Sequence, residues 1–381
     1  MSNKPDLKQI LIDHPESWDH DGMRPDARFA FQKATECGTG ALGTIRFVSP
    51  SGEELNLPCT CKSSACPSCG HRAMLDWLAM IGSSLPNVPY YGGFLSMQEE
   101  LWEIFRDNRH LLLGLPAIAA NALQDWADKM HGARVAIIVV LHTFQGRLDS
   151  KPHVHFVVSS VGLDGTGNSL VGDIRWDFYF VQQAVMKKWR HAVVDFLLTA
   201  LDHGLISSAR PKDQLKASIE VHRDRWWKAG IRECKSIRNL VRYMARYLRR
   251  PPIAQRRLLS YDGQNVRFWY KDTRTKQNRI VGYTADEFIR RWADHVPDRY
   301  CNGVHYFGLL APSCKGSLYE VFLALLKQER RPRPRRTPWR KLIRLIYRRD
   351  PLRTLRGEVM QRIGWRPPKR PNASTIRILK Q

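Results

Sequence analysis

Two hydrophobic periods alternate along this chain. Residues 135–143 (VAIIVVLHT) form a β-branched run that predicts a buried strand. A polar loop at 145–151 leads into a second such strand at 153–159, and this order predicts antiparallel neighbours. Residues 90–96, 266–270 and 279–283 read as further strands. Helical spacing is clear over 72–85, where Leu75, Trp77, Leu78 and Ile81 recur on one face. The same period predicts helices near 97–107, 115–130, 177–203, 235–250 and 286–294, and a basic helix over 338–348. Residues 25–80 carry Gly-rich stretches and the turn signal Ser49-Pro50-Ser51-Gly52, which predict short strands and knuckles. A Pro-bounded join at 85–89 closes that part. The expected division is a polar segment (1–24), a cysteine-containing domain (25–85), a central domain (86–315) and a basic tail (316–381). No internal repeat is visible.

Composition narrows the class. Hydrophobic residues make up 43% of 381 positions and aromatics 10%, enough for a globular chain of two or three domains. No uninterrupted apolar run reaches the roughly 18 residues of a membrane span. The first residues carry acids and lack an apolar stretch of signal-peptide type, so a cytoplasmic, nucleoid-associated protein is expected. Lys and Arg total 61 against 36 Asp and Glu, a net charge of +25. That excess favours a polyanionic partner, because neutralising phosphates releases condensed counterions. The region 327–381 alone holds 19 basic and 3 acidic residues, as a phosphate-binding extension would. Of eight cysteines, Cys59, Cys61, Cys66 and Cys69 lie close together, which points to metal binding and not to disulfides.

Two pairs of residues carry candidate chemistry. His153 and His155 sit two apart in a strand, so both rings project to the same side with Cα atoms about 7 Å apart. Two such imidazoles can converge on one cation, and they can equally be half-buried histidines making ordinary hydrogen bonds. Tyr243 and Tyr247 sit at i and i+4 on a helix, one turn apart on one face. Arg242, Arg246, Arg249 and Arg250 give that helix a cationic surface suited to a DNA backbone. The same spacing also serves as an aromatic core stripe. A phenol with a reference pKa of about 10 is a weak nucleophile at neutral pH. A cation that polarises phosphate oxygens and stabilises a leaving 3′-hydroxyl would supply the missing help.

The ordered set of motifs resembles the HUH endonuclease superfamily, and within it the rolling-circle transposases of the insertion sequence ninety-one group. The stretches are CGTGALG at 37–43, CKSSACPSC at 61–69, VLHTF at 140–144, KPHVHFVV at 151–158 and RYMARYLRRPPIAQRRL at 242–258. FWYKD at 268–272, ADEFIRR at 285–291 and HYFGLLA at 305–311 continue the series. The resemblance covers roughly residues 25–315. It implies an α+β fold in which a zinc knuckle precedes an antiparallel sheet flanked by helices. It implies His153 and His155 as ligands of magnesium or manganese, with His142 as candidate third ligand, and Tyr243 and Tyr247 as catalytic tyrosines. The implied partner is DNA, as single strands or hairpin element ends, with Arg246 and Lys271 as phosphate contacts and no membrane. Cys61, Cys66 and Cys69 match the zinc module, and Cys59 is the nearest fourth ligand, with His71 or Cys37 as alternatives. An upstream cysteine pair usual in the group is missing here, and the stretch at 350–357 has arginines where a second cysteine knuckle often stands. Two other readings remain: a plasmid-type replication initiator or relaxase, and a decayed or domesticated relative that only binds DNA.

Overall fold

The computed structural model describes residues 6–63, 65–172, 180–234, 236, 239–241, 243–244, 252–272, 275–299, 301–314, 317–332, 334–335, 338–341, 344 and 350–368. They form two compact units, each assembled from separated stretches of chain. The first contains Met1–Trp77, Ile253–Arg299 and Pro334–Gln381, and the second contains Leu78–Pro252 and Tyr300–Arg333. The α+β class expected from the sequence holds, with mixed helices and antiparallel sheets. Among the described residues no helix is long and apolar enough to cross a membrane.

The second unit is built on one antiparallel sheet. Its strands are β3 (Tyr90–Ser96), β4 (Arg134–Phe144), β5 (Ser150–Leu163), β7 (Ala229–Cys234) and β11 (Val304–Gly308), in the order β11-β4-β5-β3-β7. A short strand, β6 (Leu170–Val171), pairs with β5. The β-branched runs place alternate residues on opposite faces. Ile137, Val139, Val154, Phe156 and Val158 fill the face covered by helices α5 (Leu115–His131) and α6 (Gln182–Asp202). In α6, Val185, Trp189, Val193 and Leu197 recur at four-residue steps with Met186 beside them, all buried, and the next helix, α7 (Lys212–Glu220), buries Leu215 and Ile219. The Trp189 indole donates to the Ser96 carbonyl at 2.9 Å, tying α6 to β3. The helix expected near 97–107 is a 3₁₀ turn, Glu99–Leu101, followed by the short helix α4 (Trp102–Asp107).

The first unit holds two small sheets. One joins β1 (Thr44–Val48), β2 (Glu54–Pro58) and β12 (Gln361–Arg366), in the order β12-β1-β2. The basic C-terminal region is therefore more than an arm, since residues 361–366 are a strand of the N-terminal sheet. The expected helix over 338–348 falls mostly outside the described residues. The other sheet joins β8 (Leu258–Tyr261), β9 (Asn265–Lys271) and β10 (Asn278–Thr284), followed by α8 (Ala285–Ala293). Two elements differ from the sequence pattern. Residues 25–36, where strands and knuckles are predicted, form helix α2 (Pro25–Glu36). Its buried stripe is Ala27, Ala30, Phe31 and Ala34, mostly methyl groups that give little hydrophobic contrast. Within the nominally polar segment, α1 (Leu7–Asp13) buries Leu7, Ile10 and Leu11 and is capped by the Asp6 side chain, which accepts the Lys8 N–H at 3.0 Å. Phe31 meets Trp292 of α8 at 5.1 Å between ring centroids, so these helices share one core.

Candidate metal and tyrosine site

Three histidines meet on the face of the large sheet opposite its helix-covered core. His142 pairs in register with His153, and His155 pairs with Val140 on one side and Phe94 on the other. Antiparallel partners point to the same face, so one strand pair presents all three rings together. One ring nitrogen from each lies within 4.8 Å of the others. Ring centroids are 5.4 Å apart for His142 and His153, 4.9 Å for His142 and His155, and 5.0 Å for His153 and His155.

Their protonation suits a cation. Burial pushes His153 down to about 4, against the raising effect of its contact with the Lys151 backbone. Burial also holds His155 well below the ordinary histidine range, with His153 and Arg232 acting in the same direction and a hydrogen bond to the Gly93 backbone opposing them. Both rings are neutral at pH 7 and keep a nitrogen lone pair for coordination. The hydrogen bonds then set which nitrogen that is. His153 Nδ1 donates to the Lys151 carbonyl at 2.7 Å, leaving Nε2 as the ligand atom. Tyr243 Oη lies 3.3 Å from His155 Nδ1 and donates its single proton to the Gly93 carbonyl at 2.5 Å. Nδ1 of His155 is therefore the donor toward Oη, and Nε2 is again left for a cation. Three imidazoles with converging nitrogens, those of His153 and His155 held neutral by burial, fit a manganese or zinc ion, and magnesium if water and phosphate oxygens complete the shell.

Tyr243 reaches this place because β3 contains a Gly-Gly pair. A Cβ on Gly92 would lie 2.9 Å from the Tyr243 Cε1 and 3.0 Å from its Cδ1, so only glycine lets the ring rest on the strand. Leu240 and Met244, on the same helical segment, are fully buried, and Tyr243 is 8% exposed. Tyr247, Arg242, Arg246, Arg249 and Arg250 lie outside the described residues. Lys271 is an exposed residue at the end of β9, in the first unit and not in the unit of the histidines. Basic groups do accompany the histidines. Lys151 is held below the usual lysine range by burial and then by Lys228, and its Nζ sits 5.5 Å from the Trp102 ring centroid. The sequence pattern misses Gly92, although paired glycines inside a strand are a recognised mark of close approach by another group.

A second cluster lies in the first unit. The sulfurs of Cys37, Cys61, Cys66 and Cys69 lie within 4.8 Å of one another, and Cys37 and Cys61 each stand 3.7 Å from Cys69. A tetrahedron with zinc–sulfur bonds of 2.3 Å has edges of about 3.8 Å, so the spacing is that of a zinc site. Hydrogen bonds from Cys61 and Cys66 hold the Cys69 thiol far below its ordinary value, while bonds to Cys66 and Cys69 push Cys61 far up. Four thiols this close share protons unless a cation replaces them. The fourth member is Cys37 and not Cys59, which corrects the choice made from spacing. Cys59 is held in backbone pairing, its N–H donating to Gly43 and its carbonyl accepting from Gly38. That pairing carries Cys37, at the end of α2, to the sulfurs, where it accepts the Cys61 N–H at 3.4 Å. His71 is exposed on α3 (Pro67–Ser84) and stays outside the group. With four protein ligands the site is closed and structural.

Two family models match the stretches of chain that carry these clusters. Residues 136–317 match the family model described as "Putative transposase", a span that includes the three histidines and Tyr243. Residues 10–97 match the "Transposase zinc-binding domain" of IS91 type, which includes the four zinc cysteines. The chain is 31% identical over 329 residues to the "Transposase for insertion sequence element IS801" of Pseudomonas savastanoi pv. phaseolicola, covering 82% of this chain and 78% of that relative. It is 25% identical over 323 residues to the "Putative transposase y4qJ" of Sinorhizobium fredii, covering 80% of each. No solved structure matches the chain.

Proposed function

The chain belongs to the IS91 family of transposases, and from that premise we propose that it cleaves and rejoins single-stranded DNA at element ends through 5′-phosphotyrosine intermediates. In this reading Tyr243 and Tyr247 are the nucleophiles, and His142, His153 and His155 hold a divalent cation. Magnesium or manganese bound there would polarise the scissile phosphate and stabilise the leaving 3′ oxygen.

The chain's own residues do the rest. Tyr243 Oη attacks the phosphorus, the bond from phosphorus to the 3′ oxygen breaks, the phenol loses its proton and the freed 3′ oxygen takes one up. The phosphotyrosine keeps the phosphodiester energy, so a 3′-hydroxyl can reverse the step and rejoin DNA. A second tyrosine one helical turn away lets one strand end be held while another is cut. Before attack, the Gly93 carbonyl and His155 hold the hydroxyl in place, and Lys151 and Arg232 add positive charge for the phosphate. The observation that carries this reading is the 3.3 Å approach of Tyr243 Oη to a member of the three-histidine group, from a segment 88 residues away in sequence. An initiator or relaxase would share this chemistry, but the zinc-binding match at the N-terminus favours the transposase.

The test is a covalent adduct. The full chain, incubated with single-stranded oligonucleotides and saturating manganese, should give a protein–DNA species that survives denaturing electrophoresis. Tyr243→Phe combined with Tyr247→Phe should abolish it and leave DNA binding intact. Adduct persisting in that double variant would reject these nucleophiles. No adduct from the parent protein on any substrate would mean that the chain only binds DNA.

A further inference from the structure

The β8–β9–β10 sheet of the first unit has one face with no role in the chemistry above. Val266, Phe268 and Tyr283 point inward and are buried, with Phe268 packed on Phe288 of α8 at 5.8 Å. Alternation therefore turns Arg267, Trp269 and Lys271 of β9 outward, together with Asn278, Ile280 and Gly282 of β10. Ile280, the cross-strand partner of Trp269, is 58% exposed, and exposed Arg267 lies between Gly282 of β10 and Ser260 of β8.

We propose that this outer face binds single-stranded DNA, with Trp269 as a base-stacking platform and Arg267 and Lys271 as phosphate contacts on either side. The inference rests on the DNA-processing reading above and adds a place where a strand is held. Three observations carry it. The Trp269 indole N–H donates to the Arg256 carbonyl at 3.1 Å, and the Trp269 carbonyl accepts from Arg257 Nε at 2.9 Å, so the ring is fixed in advance. Its N–H is thereby used within the protein, and the half-buried indole offers a base its ring and not a donor, which suits sequence-tolerant stacking. Second, the cations here are uncompensated. Among the described residues, Arg267, Lys271 and the neighbouring exposed Arg256 and Lys276 form no ion pair, whereas Arg279, Arg290 and Arg291 of the same unit all do. Unpaired cations flanking an aromatic complement a polyanion with planar groups, not an apolar protein surface. Third, residues two apart on a strand are about 7 Å apart, so each cation can lie on a phosphate beside the stacked base.

The experiment uses the full chain and a fluorescein-labelled oligonucleotide, alone or annealed to its complement, read by anisotropy across a salt series. Trp269→Ala should weaken single-strand binding by about 5- to 150-fold, the range for one lost stack, while Trp269→Phe should retain most of the affinity. Arg267→Ala with Lys271→Ala should lower the slope of log affinity against log salt by about 1.4, at roughly 0.7 per phosphate contact on a single strand. Parent-like single-strand affinity in a Trp269→Ala protein of unchanged melting temperature would overturn the proposal. Equal losses on single strand and duplex would also overturn it, because a paired base cannot stack on the ring. If Trp269→Ala fails to fold, the salt slope of the exposed double variant decides. At saturating DNA the Trp269→Ala protein should still form the tyrosine adduct, so failure of this surface and failure of the cleavage reading give different results.

Discussion

Replacing Gly92 by alanine isolates the placement of the nucleophile from every other part of the site. The added methyl would meet three ring atoms of Tyr243 at 2.9, 3.0 and 3.2 Å. Ordinary carbon contacts lie near 3.5–4.0 Å, so the ring must retreat from β3 by about 0.5–1 Å. The strand cannot give way instead, since β3 is paired on both edges, with β5 and β7. Overpacking of this kind costs about 1–3 kcal/mol of stability, which leaves a folded protein with a slightly lower melting temperature. The kinetic cost is larger. A misplacement of about 1 Å at a reacting atom can cost roughly a hundredfold in rate. We expect Gly92→Ala to slow adduct formation by one to two decades at saturating manganese and DNA, with manganese affinity falling by no more than the roughly tenfold that loss of the Tyr243 contact to His155 costs, since all three imidazoles stay on their strands. Single-turnover adduct kinetics give the rate, and electron paramagnetic resonance of free manganese gives the affinity. An unchanged rate in a folded variant would refute the argument that the glycine seats the tyrosine for attack.

Two further outcomes follow from the same geometry. Tyr243→Phe should weaken manganese binding toward the lower end of the 10- to 100-fold loss typical of a missing outer partner, because Oη is a hydrogen-bond partner of His155 Nδ1. Unchanged affinity would show that the Gly93 backbone alone orients the ring. Cys37→Ser should release zinc, read by a chromogenic chelator, and lower the melting temperature, whereas Cys59→Ser should keep a full equivalent; the reverse pattern would return the fourth ligand to Cys59.

The sequence carries the strands well and the site only in part, for physical reasons. A β-branched run such as residues 135–143 has few alternatives to a buried strand, and β4 runs over Arg134–Phe144 as the pattern predicts. His153 and His155 follow from strand alternation alone. His142 does not, because its arrival depends on register with β5, and register is a pairing property that one strand's sequence does not contain. Cys37 is hidden for a similar reason. It lies 24 residues before Cys61 and is delivered by helix α2, whose alanine-rich inner face gives little hydrophobic contrast until its Phe31 finds Trp292. Spacing favours Cys59 because it weighs distance along the chain, while the fold weighs which backbone groups are already paired. Residues 253–299 make the same point at domain scale. Their strands and helix are visible in the pattern, yet the buried row Phe268, Phe288 and Trp292 ends on Phe31, and the stretch shares one compact unit with the first 77 residues. Local periodicity states that a face must be covered; only the assembled core states by what. The tyrosine shows the two levels meeting. A helical period puts Tyr243 on a face, a Gly-Gly pair opens a strand, and neither has chemical meaning until the 2.5 Å bond to the Gly93 carbonyl joins them beside His155.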